Sequence, residues 1–126
     1  MARLVPDEAA PGPLVQGFAG TGFFVDGRVY AAVLLTPLAA ASWDPPAGAA
    51  ALTLDHLAPL LALDRPPEFL LLGTGPALAF PPRPLVRALD ERGIGIEAMD
   101  SRAAARTWGL LRGEGRWIAA ALMPLG

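Results

Sequence analysis

The apolar positions of this chain fall into short runs with two different periods. Gly22-Phe23-Phe24-Val25 and Arg28–Leu35 flank the pair Asp26-Gly27. An Asp-Gly pair between two apolar runs predicts a tight hairpin, because both central residues take positive φ. A further short strand is expected at Leu14–Phe18. Thr36–Ala51 reads as a connection, since Pro45 and Pro46 oppose a helix there. Thr53 then caps a short helix expected from Leu54 to about Ala62. Leu54, Leu57, Leu60 and Leu61 repeat at the helical period, Asp55 suits the first turn, and Pro59 shortens or bends the segment.

The second half alternates strand and helix. Glu68–Leu72 is a compact apolar strand, broken by Gly73-Thr74-Gly75-Pro76. Pro84 fits the first turn of a helix reaching Arg92. Leu85, Val86 and Leu89 point inward, while Arg83, Arg87, Asp90 and Glu91 point outward. Gly93 ends that helix. Ile94–Met99 is the next strand, with Ile94, Ile96 and Ala98 on one face. Asp100 or Ser101 caps a helix to about Leu111. Trp117–Met123 is apolar throughout and suits a strand buried on both faces in the middle of a sheet. The order β-α-β-α-β packs helices on a sheet.

Composition narrows the chemistry. At 126 residues the chain is one domain. We read residues 1–13, with three prolines and two acids, as an extended arm before a single domain at 14–126. The formal charge of −2 speaks against a nucleic-acid partner. Cys and Lys are absent and His56 is the single histidine. That removes thiolate and Schiff-base chemistry and the multi-His metal sites. The longest uncharged run, Ala9–Val25, has 17 residues and carries two prolines and four glycines. A spanning helix needs about 20 apolar residues, so no membrane span is expected. The first residues lack a signal-peptide pattern, and the cytoplasm is the default compartment. We name no catalytic residue, no metal and no cofactor.

Gly73-Thr74-Gly75, Gly93–Ser101, Ala104–Trp108, Glu114-Gly115-Arg116 and Ala119–Leu122, in this order, resemble the Mth-type domain family of unknown function. Gly20–Phe24, the Asp-Gly hairpin and Trp43-Asp44 fit as well. In animals that family is similar to an adipogenesis-associated Mth-domain protein and to a mitochondrial respiratory complex I assembly factor. The resemblance spans about Leu14–Met123. It implies an α/β fold of three layers, β+α/β/α, around a central five-stranded mixed sheet, beside an N-terminal β-hairpin. It also implies that the last strand is antiparallel to its neighbours, where the residues alone default to a parallel crossover. We take the antiparallel direction. The chain departs from the family pattern at Ser101 (usually Thr), Ala105 (often Cys), Trp108 (usually Tyr) and Gly109 (usually Asn). A helical Gly109 costs about 1 kcal/mol against Ala, and close packing on the sheet would explain it.

Candidate site residues gather where the strands end. A right-handed crossover puts Gly73, Thr74 and Gly75 beside Asp100 and Ser101, and open α/β sheets bind ligands at that edge. Glycine N–H groups there could cradle an anion; a tight turn is the plainer reading. Asp100 reads most simply as an N-cap. Arg106 and Thr107 follow on the helix, and Arg106 could reach a ligand or pair with Glu97 or Glu114. With an antiparallel last strand, Glu114 and Arg116 join the same edge, and Arg106 or Arg116 neutralises Asp100 or Glu114. His56 reads as solvated surface; Trp108 and Trp117 read as core. Through the assembly-factor likeness the leading function is a non-enzymatic accessory domain that binds another protein, as a monomer or weak homodimer. The alternative is a small-molecule or anion-binding protein or enzyme using the Gly73–Gly75/Asp100 edge.

Overall fold

A computed structural model describes residues 11–126. Residues 1–10, most of the expected arm, lie outside the described residues. Three strands open the chain as an antiparallel meander: β1 (Val15–Ala19), β2 (Gly22–Val25) and β3 (Arg28–Tyr30). Asp26 (φ 49°) and Gly27 (φ 81°) make the β2–β3 turn that the Asp-Gly pair predicts. The run Arg28–Leu35 is not one strand, however. It breaks at Ala31-Ala32, and β4 (Val33–Leu35) enters a second sheet. There it pairs with β5 (Ala40–Ser42), inside the stretch read as a connection. Thr36 turns the chain between them, its hydroxyl accepting from the N–H groups of Leu38 and Ala39.

The helix expected at Leu54–Ala62 is split into a 3-10 turn, Leu54–Leu57, and one turn of α-helix, α1 (Ala58–Leu61). Pro59 sits at the start of α1, where its missing N–H is no loss. His56 is not simply solvated. Its Nδ1 accepts from the Thr53 N–H at 2.9 Å, closing the cap of the 3-10 turn.

The β-α-β-α-β half is β6 (Phe69–Gly73), α2 (Arg83–Asp90), β7 (Gly95–Met99), α3 (Ser101–Gly113) and β8 (Ala119–Leu122). The sheet order is β5-β4-β8-β6-β7, a five-stranded mixed sheet with β8 at its centre. β8 is antiparallel to β4 but parallel to β6. The expectation of a last strand antiparallel to its neighbours is thus corrected on the β6 side. The reason is the α3 crossover, which returns the chain to the end of the sheet where β6 and β7 begin. Only β4 runs the other way.

β8 is buried on both faces. Ala119 and Ala121 join Leu34, Leu70 and Leu72 under α1 and α2. Ala120 and Leu122 join Val33, Leu35 and Leu71 under α3 and the three-stranded sheet. Small side chains at the centre leave room for the leucines on either side. Trp108 is wholly buried and holds α3 down, its Nε1 donating to the Pro13 carbonyl at 2.9 Å. On α2, Leu85 and Leu89 face the core as predicted, but Val86 is 39% exposed.

Candidate functional site

The carboxyl ends of β6, β7 and β8 meet at one edge. There the structure brings Gly73, Thr74 and Gly75 beside Asp100 and Ser101, as the parallel β6–β7 register requires. Ser101, the first residue of α3, is fully buried. Its Oγ donates to the Met123 carbonyl at 2.7 Å and accepts from the Gly75 N–H at 2.8 Å. Its own N–H donates to the Gly75 carbonyl at 2.8 Å. The Gly73 carbonyl accepts from the Met123 N–H at 2.9 Å, and the Thr74 N–H donates to the Met99 carbonyl at 2.9 Å. One hydroxyl therefore ties three strand ends together. Position 73 must be glycine, since a Cβ there would stand 2.8 Å from Ser101 Oγ and 2.9 Å from Ser101 Cα.

This saturation decides what the edge can do. The N–H groups of Thr74 and Gly75, offered as an anion cradle, are already donated within the protein. The Thr74 hydroxyl donates to the Ala77 carbonyl at 2.7 Å and accepts from the Ala79 N–H. Asp100 is the N-cap of α3, its Oδ2 accepting from the Ala103 N–H at 3.1 Å. Among the described residues both buried hydroxyls meet backbone groups and no base that could make either a nucleophile.

The other candidates do not converge here. Arg106 is exposed on α3 beside a shallow hollow against β1, and among the described residues it forms no ion pair. The Thr107 hydroxyl faces the Met99 sulfur at 3.5 Å. Glu114, exposed, closes the far end of α3. Arg116 lies at the amino ends of the strands, because β8 is parallel to β6. There it pairs with Glu68, at 2.9 Å from both Nε and Nη2 to Oε1. The expected pairing of Arg106 or Arg116 with Asp100 or Glu114 is corrected accordingly.

The Glu68 cluster was not foreseen. Oε2 also accepts from the Trp117 N–H at 3.2 Å, and the Arg65 guanidinium stacks 4.7 Å above the half-exposed Trp117 ring. Arg116 first, and then the Trp117 amide, hold the Glu68 carboxyl below its ordinary pKa. Arg112 was missed as well. It is buried, donating to the carbonyls of Arg116 (2.6 Å) and Pro11 (3.0 Å), and burial lowers its pKa from the usual value. The signal was present: Ala104, Ala105, Trp108 and Arg112 share the buried stripe of α3. Trp43 is the third omission. Its Nε1 donates to the Leu122 carbonyl at 3.1 Å and its ring walls a crevice of about 400 Å³ beside Thr74 and Gly75. Among the described residues Asp44 is the ionisable side chain on that crevice and no arginine lines it, so they give an anion no countercharge there.

Comparison with known proteins bears on these features together. Residues 15–123 match a family described as a protein of unknown function, DUF498/DUF598. The chain belongs to that family. It is 36% identical over 122 residues to an uncharacterized protein of Rhodobacter capsulatus, covering 90% of this chain and 93% of that one. It is 29% identical over 122 residues to human NADH dehydrogenase (ubiquinone) 1 alpha subcomplex assembly factor 3, covering 96% of this chain and 66% of that protein. The Danio rerio protein of the same name is 28% identical, with 96% of this chain and 70% of that protein covered. Among solved structures, a Bordetella parapertussis protein superposes with a TM-score of 0.81 at 35% identity, covering 92% and 98% of the two chains. A Mth938-like domain of Bordetella pertussis does so with 0.77 at 31%, covering 100% and 93%. The Mth-type resemblance and the mixed α/β sheet therefore stand.

Proposed function

We propose that this chain is a non-enzymatic accessory protein of the cytoplasm that acts by holding another protein during assembly. The observation that carries the reading is the likeness, over 96% of the chain, to proteins named as assembly factors. The side-chain geometry supports it from another direction. Asp100 and Glu114 cap opposite ends of α3, with Arg106 between them, and the buried hydroxyl of Ser101 is spent on the fold. Apolar groups do reach the surface: Leu78 is 52% exposed and Phe80 75%. Phe80 adjoins Pro81, Val86 and Ile96 along one hollow, an apolar surface on which a partner would pack. No helix among the described residues is long and apolar enough to cross a membrane.

Affinity capture from the native host, quantified by mass spectrometry and checked by reconstitution, tests this reading. A partner recovered in fixed stoichiometry that re-forms the complex from purified components is the expected result. Recovery of nothing beyond a tag-only control, across salt and crosslinking conditions, would overturn it.

A further inference from the structure

The two edges of the five-stranded sheet are unequal. β5 is three residues long, while β7 has five and β6 as its one neighbour. The Met99 carbonyl faces β6, where it accepts from Thr74. By strand alternation Gly95 and Glu97 face β6 too, and the N–H and C=O groups of Ile96 and Ala98 face outward. Among the described residues nothing pairs with them. An open edge of this kind is what most proteins blunt with a proline, a bulge or a covering loop.

Three adjoining hollows run along that edge and share Ile96. Phe80, Val86 and Ile96 give the α2 side an apolar wall. Arg83 and Arg87 stand over it with one carboxylate, Asp90. On the opposite side of the strand Glu97 is exposed. The β7 strand of a second copy would bring Ile96 and Ala98, and no carboxylate, to the side where Arg83 and Arg87 stand, and the antiparallel register that pairs Ile96 with Ala98 would also set Glu97 against Glu97. A foreign strand can supply the acid that these arginines lack.

We propose that β7 is completed by an extended segment of a partner protein, added as a sixth strand. Main-chain bonds to Ile96 and Ala98 give it grip. Apolar and acidic side chains at alternate positions meet Phe80, Val86, Arg83 and Arg87, and a basic one on the other face meets Glu97. This rests on the protein-binding reading above and adds where the partner docks and in what conformation.

The probe is a displayed library of random decapeptides, selected on the full chain. Three readouts follow: the pattern of the enriched peptides, their affinity for variants, and amide exchange in the complex. Ala98→Pro removes an outward N–H that the fold does not use, and Phe80→Ser shortens the apolar wall; thermal melts check that both fold. Enriched peptides should alternate with period two and carry Asp or Glu on the apolar face. They should lose about tenfold or more in affinity for Ala98→Pro. Binding should slow exchange at Ile96 and Ala98. Should one variant fail to fold, the other and the exchange pattern still decide. Peptides that bind both variants as well as the parent, leave those two amides unprotected, or show no alternation would overturn the strand-addition proposal, as would failure to enrich any peptide. A reconstituted complex from the capture experiment that leaves Ile96 and Ala98 unprotected would remove this site while leaving the accessory reading intact.

Discussion

The two ends of the central sheet carry polar clusters built on opposite plans. At the carboxyl ends, Ser101 and the Gly73–Gly75 turn use neutral groups, wholly buried, each donor matched to an acceptor. At the amino ends, Glu68 and Arg116 are charged, and their side chains are 43% and 41% exposed. Full charges suggest the stronger bond, yet water decides otherwise. An exposed pair exchanges one good environment for another, and its net worth is small. A buried hydroxyl has no such exchange, so removing it strands its partners. The carboxyl-end cluster is accordingly the lock of the fold, and the amino-end cluster a weak clasp.

The sharpest way to break the comparison is Ser101→Ala. It leaves the Gly75 N–H and the Met123 carbonyl buried without a partner and should cost about 2–4 kcal/mol. The check is a denaturant midpoint that falls while the slope is unchanged. A loss near zero would mean that the edge admits water and is not a lock. Asp100→Ala, next to it but half-exposed, removes only a helix cap and should cost about 1 kcal/mol. The ratio of the two losses measures how sharply burial falls off across one residue.

Gly109→Ala tests the helix that joins the two ends. Close packing does not explain this glycine, because a Cβ at Gly109 would meet nothing within 4 Å. Alanine should therefore stabilise the chain by about 1 kcal/mol, the ordinary helix-propensity difference. A higher midpoint by thermal melt would confirm it. A lower one would overturn the account by helix propensity.

The same contrast explains what could be read from the sequence. The Asp26-Gly27 turn, α2 and α3 follow from local chemistry that needs no partner. β4 and β5 do not, because Ala31-Ala32 carries no breaker and β5 is made only of small residues. The family resemblance implied five strands in the central sheet but did not say that Val33–Leu35 and Ala40–Ser42 are two of them. The direction of β8 depended on a crossover that residue patterns and resemblance read in opposite ways. In the candidate site, Asp100 and Ser101 were placed correctly because helix caps are local. The bonding of Ser101 to Met123 was not legible, since hydroxyl chemistry alone does not say whether an oxygen faces a ligand or its own chain. Glu68 and Arg116 are 48 positions apart, so no spacing rule joins them.

The smallest effect is the one set by pH. The Glu68 carboxyl is held below its ordinary pKa in the folded chain, chiefly by Arg116. The folded state thus prefers the ionised form more than the unfolded state does. The contribution of the pair is complete above the unfolded carboxylate pKa of 4.5 and is lost as pH falls through the lower, folded value. Glu68→Gln should melt slightly below the parent at pH 7, and the two curves should close on each other as the medium is acidified towards pH 3. Added salt at pH 7 should narrow the same gap, because the pair is open to solvent. Ser101→Ala should show neither dependence, since its groups do not titrate. No gap between Glu68→Gln and the parent at pH 7 would mean that the bond from the Trp117 N–H, which a carboxamide oxygen still accepts, and not the ion pair, holds this end of the sheet.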